Sequence, residues 1–178
     1  NRGQPATGSA PHTDSTSFTP ATRSAVTVRL FDLLAPRRLL ARNLGPSPIA
    51  ASGGYLGPGA TVALEPGQQI GPGLVEIQAP ELGLSRRLRA RIACERGGRG
   101  VVRLTASMEV REYVAGVMAA ELAQSPPGRR TELGAAVLRF LAQGPRHPDA
   151  DVCDTTHCAW FVGQGPRVSW PAPHRARL

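Results

Sequence analysis

The chain has 178 residues, of which 41% are hydrophobic and 4% aromatic, enough for one domain with a hydrophobic core. Its 20 Gly and 17 Pro residues favour a loop-rich domain over a compact helical bundle, and no apolar run approaches the roughly 20 residues of a membrane span. All 21 basic residues are Arg, and the formal charge is +8. This excess of Arg either favours a polyanionic partner or reflects a coding bias. No nucleic-acid-binding motif accompanies the charge, so we do not expect nucleic acid to be that partner.

Residues 1–23 are rich in Ser, Thr, Pro and Gly, which predicts a disordered linker or tail. Because the chain starts without Met and without an apolar signal segment, we expect that a leader has been removed or that the chain is a fragment. From Ser24 onward, apolar and polar residues alternate as in a half-buried strand. The apolar positions are Val26, Val28 and Leu30. Residues 37–43 are ambiguous, and residues 45–48 predict a turn rich in Gly and Pro.

Further strands are predicted at residues 61–64, 74–78 and 87–94. The last is the clearest, because every second residue is Arg and the intervening residues are apolar. These basic residues are Arg87, Arg89 and Arg91. The row is either the solvated face of an antiparallel strand or an anion-binding ridge, and the sequence leaves both open. A Gly-Gly turn at residues 97–98 then leads to a strand at residues 101–104, which predicts a hairpin.

A helix is predicted over residues 109–122, where apolar side chains recur three and four positions apart. This stripe consists of Val110, Val114, Val117 and Met118. Ser107 precedes the helix as a predicted N-cap, and small residues such as Gly116 would let another segment pack close. Four positions beyond Val117 comes Glu121, so apolar surroundings would favour the protonated carboxyl that a general acid requires. The alternative is that Glu121 points into water.

A second helix is predicted from Thr131, as N-cap, to Gln143, between stop signals at residues 126–127 and 144–145. Its apolar stripe is Leu133, Val137, Phe140 and Leu141. The strands come before the helices, and a loop rich in Cys and His follows. The predicted fold class is therefore α+β, with short antiparallel strands followed by a helix pair and a metal-binding loop.

That loop, residues 146–161, offers four zinc-type ligands. They are His147, Cys153, His157 and Cys158. Nearby acidic residues could orient the imidazoles as hydrogen-bond acceptors. These are Asp149, Asp151 and Asp154. The alternative is a disulfide, between Cys153 and Cys158 or from either one to Cys94, and the residues alone leave metal and disulfide equally open.

The helix and the loop together resemble the stage II sporulation protein D (SpoIID/LytB) family. The family pattern is a Tyr-x-x-Gly-Val helix ending in Ala-Glu, a helix with Ala-Val and an Arg, and a Cys-Asp-Thr-Thr-His-Cys loop. The helical matches are Tyr113, Gly116, Val117, Ala120, Glu121, Ala136, Val137 and Arg139, and residues 153–158 match the loop. Ala159 stands where the family usually has Gln. The resemblance covers mainly residues 100–165.

The resemblance implies a SpoIID-like domain over residues 24–165, with its core motifs at 105–165, and a Pro/Arg-rich tail at 166–178. We expect the family's C-terminal part to be missing. The implied activity is that of an extracytoplasmic bacterial lytic transglycosylase acting on peptidoglycan strands stripped of their stem peptides. The resemblance implies Glu121 as catalytic acid and His147, Cys153 and Cys158 as ligands of a structural zinc, with His157 less certain. Tyr113 and Arg139 are the candidate substrate-binding residues. Arg139 lies off the apolar stripe of its helix, so the alternative is that it faces solvent. The LytB branch implies instead a non-catalytic protein that binds peptidoglycan and enhances a cell-wall amidase.

The short turns around the second helix predict that it folds back antiparallel on the first. About ten residues of extended chain reach roughly 30 Å, enough to lay the Cys/His loop beside Glu121. We therefore expect Glu121 and Cys153 to share one groove, with the metal shaping its wall.

Overall fold

The computed structural model describes residues 23–98, 101–121 and 128–163. The predictions for residues 1–22, for the stop at residues 126–127 and for the tail at residues 166–178 lie outside this part of the chain.

Strands occupy the first part of the described chain, and two helices follow them. The strands are β1 (Ala25–Leu30), β2 (Leu40–Asn43), β3 (Ile49–Ala51), β4 (Gly54–Leu56), β5 (Thr61–Ala63), β6 (Gln69–Ala79), β7 (Leu84–Arg96), β8 (Val102–Glu109) and β9 (Val152–Cys153). The helices are α1 (Val110–Glu121) and α2 (Gly128–Ala142), and a short 3-10 helix occupies Pro80–Leu82. This arrangement confirms the predicted α+β class.

All nine strands of the described chain belong to one sheet. Its main order is β4-β3-β6-β7-β8-β1-β9, while β2 also pairs with β6, and β5 pairs with β2. Neighbouring strands are antiparallel except for β1 and β9, which are parallel, with Arg29 opposite Cys153. Strand β1 therefore holds residues 152–153, in the middle of the Cys/His loop, in register.

The long hairpin of β6 and β7 illustrates how alternation builds the core. Leu88, Ala90 and Ile92 are at most 3% exposed, whereas the Arg residues between them are exposed. Each apolar side chain removed from water contributes favourable free energy in proportion to the area it buries. The core therefore lies on one face of β7, and the arginine row lies on the other.

Across that hairpin, Glu76 of β6 lies opposite Arg87 of β7. Glu76 is 6% exposed, and its Oε1 accepts a hydrogen bond of 3.0 Å from Arg87 Nε. Burial alone would raise the pKa of Glu76, but the hydrogen bonds from Arg87 and Gln78, together with the positive charges of Arg87 and Arg42, hold it below its ordinary value. The pair therefore favours the ionised carboxylate.

Both predicted N-caps are wrong, although α1 begins within one residue of its predicted start. Ser107 is not an N-cap, because it continues β8 opposite Arg91 of β7. Thr131 lies inside α2, which begins one turn earlier. A Ser or Thr can cap a helix, but pairing with neighbouring elements decides where the helix begins. The apolar stripe of α2 is confirmed, since Val137 and Leu141 are each 5% exposed.

Helix α1 packs against the segment that leaves the Cys/His loop. The rings of Tyr113 and Phe161 stack with their centroids 5.2 Å apart, and both side chains are fully buried. Gly116 makes room for this contact, since a Cβ there would lie 2.3 Å from Phe161 Cε2. The close approach predicted from the small residues of α1 therefore occurs at Gly116, and it fixes the end of the loop beside the helix.

Candidate metal centre and the neighbouring carboxylate

Four side chains of one loop converge at the edge of the sheet. The ligand atoms of His147, Cys153, His157 and Cys158 all lie within 4.8 Å of one another. The structure thus brings the three predicted ligands together and adds His157 to them. Both loop cysteines and Cys94 are free thiols, so the structure does not adopt the disulfide alternative.

The distances between these atoms suit a tetrahedral site. Cys158 Sγ lies 3.4 Å from His147 Nε2 and 3.5 Å from His157 Nδ1, and Cys153 Sγ lies 3.8 Å from His157 Nδ1. Zinc bonds of about 2.0–2.3 Å to nitrogen and sulfur place neighbouring ligand atoms of a tetrahedron roughly 3.3–3.8 Å apart. The cluster can therefore hold a metal ion, and two thiols with two imidazoles are a donor set that zinc prefers.

Carboxylates tie the loop to β1. Asp151 Oδ2 accepts a hydrogen bond of 2.8 Å from the Thr27 backbone N–H, and Asp149 forms an ion pair with Arg29. Within the described chain, neither of these aspartates nor Asp154 is hydrogen-bonded to a histidine ring, so their predicted role in orienting the imidazoles is wrong. These aspartates fix the position of the loop and do not contact the histidine rings of the candidate metal site.

Asp154, within the Cys/His loop, forms a buried ion pair with Arg86 of β7. Its Oδ2 lies 3.5 Å from Arg86 Nε and accepts a hydrogen bond of 3.0 Å from the Phe31 N–H. Both charged residues are 3% exposed, and burial raises the pKa of Asp154 and lowers that of Arg86. Phe31 has a φ of 55°, uncommon for a residue with a side chain, so Asp154 also secures a strained turn.

Burial also sets the protonation of the candidate ligands. It lowers the pKa of His147, as does the charge of Arg29, and it raises the pKa of Cys158 to about 11. The neutral imidazole is the form that binds a metal, whereas the thiol must lose its proton first. Metal uptake at this cluster would therefore release protons.

Glu121 ends α1 beside the segment that leaves the loop. Its Oε1 accepts a hydrogen bond of 3.2 Å from the backbone N–H of Trp160, two residues after Cys158. The Glu121 side chain is exposed, and no ion pair in the described chain involves it. The predicted apolar enclosure is therefore wrong. The stripe is buried at Val117, but one turn later the helix has passed the edge of the core.

The two predicted substrate-binding residues differ in exposure. Tyr113 is fully buried, so it has no exposed surface for contact with a glycan, and the structure gives it a packing role. Burial, together with the nearby thiols of Cys158 and Cys153, raises the pKa of Tyr113. Arg139 is exposed in the last turn of α2, off the buried stripe, where a ligand could reach it.

Sequence reasoning missed two groups at this site. The Trp160 N–H is a backbone donor, and backbone donors leave no signature in side-chain patterns. Arg86 had a signal that was not used, since two consecutive Arg residues at positions 86 and 87 break the alternation of β7. Arg86 lies on the same face of β7 as Leu88, the face that packs on the core, and is buried there.

No protein-family model matches the chain, and neither do the curated proteins or the solved structures with which it was compared. None of the helices in the described ranges is both long enough and apolar enough to cross a membrane. Its function must therefore be inferred from the residues of the site.

Proposed function

We propose that the chain is a SpoIID-type lytic transglycosylase that cleaves the glycan strands of peptidoglycan outside the cytoplasm. The observation that carries the proposal is the placement of Glu121, whose exposed carboxylate accepts the Trp160 N–H beside the Cys/His loop. A general acid must be reachable by its substrate and must not be held ionised by a basic partner. Glu121 is exposed, and among the described residues it has no basic ion-pair partner.

One carboxyl is enough for this reaction, whereas ordinary glycosidases need two. Protonated Glu121 gives its proton to the glycosidic oxygen as the bond from that oxygen to the anomeric carbon of muramic acid breaks. The 6-hydroxyl of the same sugar attacks the anomeric carbon and returns its proton to the carboxylate. The products are a 1,6-anhydro sugar end and a free hydroxyl on the leaving sugar, and Glu121 regains its starting state.

We further propose that the four-residue cluster binds zinc in a structural role. Two thiolates and two imidazoles would balance the charge of the ion, which when bound supplies a cross-link within the loop. Trp160 comes only two positions after Cys158, so a loop fixed at Cys158 also fixes the N–H that Glu121 accepts. Zinc would thus position the carboxylate without touching the glycan.

The packing supports the family proposal. Tyr113 and Gly116, from the helical motif, both contact Phe161, just after the loop motif. Segments that resemble one family's motifs in sequence therefore meet in space, as they would if they acted as one unit.

A second candidate function is that of a non-catalytic peptidoglycan-binding protein that enhances a cell-wall amidase. One observation favours it. The cavities beside Arg91 and beside Arg103 are not lined by Glu121, so neither provides an enclosed site for the cleavage.

The test is to incubate the zinc-loaded chain with intact and with peptide-free glycan strands and to measure 1,6-anhydro ends by mass spectrometry. We expect product from the peptide-free strands, and Glu121→Gln should reduce it about 100-fold or more without loss of folding. Glu132→Gln, on the exposed side of α2, is the matched control and should retain activity. Turnover retained in Glu121→Gln would overturn the catalytic assignment. Absence of product together with stimulation of an amidase would favour the second candidate.

A further inference from the structure

A groove on the sheet, separate from the Cys/His loop, is lined by a single basic side chain. Its volume is about 370 Å³, within the range of small-molecule sites. Its walls are small residues, among them Ala50, Ser52 and Gly71, and only Gln69 and Arg91 contribute long side chains. The groove therefore has space for a small ligand, and the side chains of Gln69 and Arg91 can reach it.

Neither of these long side chains is engaged within the described chain. Arg91 has no ion pair there, and the Gln69 side-chain amide forms no hydrogen bond. By contrast, the hydroxyl of Ser52 is already used, accepting the Gln69 backbone N–H at 2.8 Å. One guanidinium and one amide suit a ligand with one acid group and several hydroxyls.

Arg91 also ends the exposed arginine row of β7. Side chains two residues apart on one face of a strand lie about 6.7 Å from each other, so Arg89 is the next cation along the row. Arg89 is exposed and has no ion pair among the described residues, whereas Arg87 is held by Glu76. An extended ligand seated at Arg91 would therefore meet a second available cation at Arg89.

We propose that the groove and the adjoining row form a second binding site for the acidic sugars of a linear glycan. Arg91 would pair with a sugar carboxylate, Gln69 with hydroxyls, and the alanine wall with the apolar face of the ring. The identity of the polymer rests on the proposed function, since glycan strands without peptides retain the lactyl carboxylates of muramic acid. A polyphosphate chain could also pair with Arg91 and Arg89, but it fits less well because it has neither hydroxyls for Gln69 nor a sugar ring for the alanine wall.

The row connects this groove to the candidate site. Gly163, three residues after Trp160, pairs with Arg87 in a parallel bridge. Arg91 lies four residues further along β7, a distance of about 13 Å. Glu121 does not line the groove, so the second site would retain long strands without taking part in cleavage.

The experiment measures binding of peptide-free glycan strands in the Glu121→Gln background, so that cleavage does not interfere. The double variant Arg89→Gln/Arg91→Gln should weaken binding on the order of tenfold at low salt, since each exposed ion pair contributes modestly. The control is Arg38→Gln/Arg129→Gln, which removes the same charge from two exposed positions outside the row and should leave affinity unchanged. With Glu121→Gln alone, strands whose carboxyls have been amidated should bind as weakly as unmodified strands bind the double variant. NMR shifts of the Ser52 and Gly71 amides on adding strands give a readout that needs no variant.

The outcomes separate this proposal from the proposed function. Equal binding by the double variant and its control, or unshifted groove amides, would overturn the second site even if anhydro products form. Loss of binding in the double variant would support it even if no product is found. Tight binding of polyphosphate, with no effect of amidating the glycan, would overturn the assignment to an acidic sugar.

Discussion

Gly116→Ala tests the packing that places the loop beside α1. A Cβ at this position would lie 2.3 Å from Phe161 Cε2 and 2.8 Å from Cδ2, whereas carbon atoms in contact prefer about 3.5–4.0 Å. The ring must therefore move by more than about 1 Å. It has little freedom to do so, because it is fully buried and stacked on Tyr113.

Two effects of opposite sign determine how much Gly116→Ala changes the free energy of unfolding. Replacing Gly by Ala inside a helix stabilises by about 1 kcal/mol through helix propensity. Overpacking a rigid core costs about 1–3 kcal/mol, and the displacement required at Phe161 places this site at the upper end. We therefore expect Gly116→Ala to destabilise the protein by about 2 kcal/mol.

Gly134→Ala in α2 is the matched control. Its Cβ would meet Met118 Sδ at 3.5 Å and Val114 Cγ1 at 3.8 Å, which are ordinary contacts. Only the propensity gain remains, so this variant should be more stable than wild type by up to about 1 kcal/mol. Urea denaturation followed by circular dichroism measures both, and Phe161→Leu should restore part of the stability lost in Gly116→Ala. If Gly116→Ala were as stable as Gly134→Ala, the proposed contact between helix and loop would be wrong.

Further predictions concern the metal, the buried ion pair and pH. Elemental analysis should find about one zinc per chain. Either chelation of the metal or Cys153→Ser should lower the melting temperature. A metal-free chain with oxidised loop cysteines would contradict this prediction. Asp154→Asn leaves Arg86 charged and buried, so it should cost about 3–5 kcal/mol in urea denaturation, whereas Glu109→Gln, at an exposed ion pair, should change stability by less than about 1 kcal/mol. The pKa of Glu76 is lowered in the folded state, so its contribution to stability is fully present above its ordinary value of 4.5 and is lost as the pH falls through the lower folded-state value. Glu76→Gln should therefore flatten the dependence of the urea midpoint on pH in the acid range, and an unchanged slope would show that the carboxylate is not stabilised by its neighbours.

The sequence predicted the elements whose pattern is local. Alternation identified β1 and the centre of β7, and periodicity identified both helices. The strands it missed are short, such as Ile49–Ala51 and Val152–Cys153, which contain too few residues for a pattern and form because β6 and β1 offer them hydrogen-bonding partners. Pairing with neighbouring strands also extends β8 past the predicted N-cap at Ser107. A short stretch of sequence carries no information about such pairing between distant segments.

At the candidate site, residue chemistry was more informative than residue environment. The four metal-type ligands were recognisable because Cys and His are few and clustered. The exposure of Glu121 was not predictable, since it depends on where the core ends relative to the last turn of α1. The role of Asp154 was misjudged for the same reason, because its partners, Phe31 and Arg86, come from distant parts of the chain.

The place of β1 in the sheet bears on how the domain is completed during synthesis. Its two neighbours, β8 and β9, come from much later in the chain, and Asp151 accepts the Thr27 N–H across 124 residues. At about 5–20 residues per second, β1 waits on the order of 6 to 25 s for the last of these partners. During this time its backbone groups form an unpaired strand edge, which is prone to aggregate and is a natural target for a chaperone. The β6 and β7 hairpin can form meanwhile, but the domain closes only when residues 149–154 reach β1, and the four side chains of the Cys/His cluster come together in that same step.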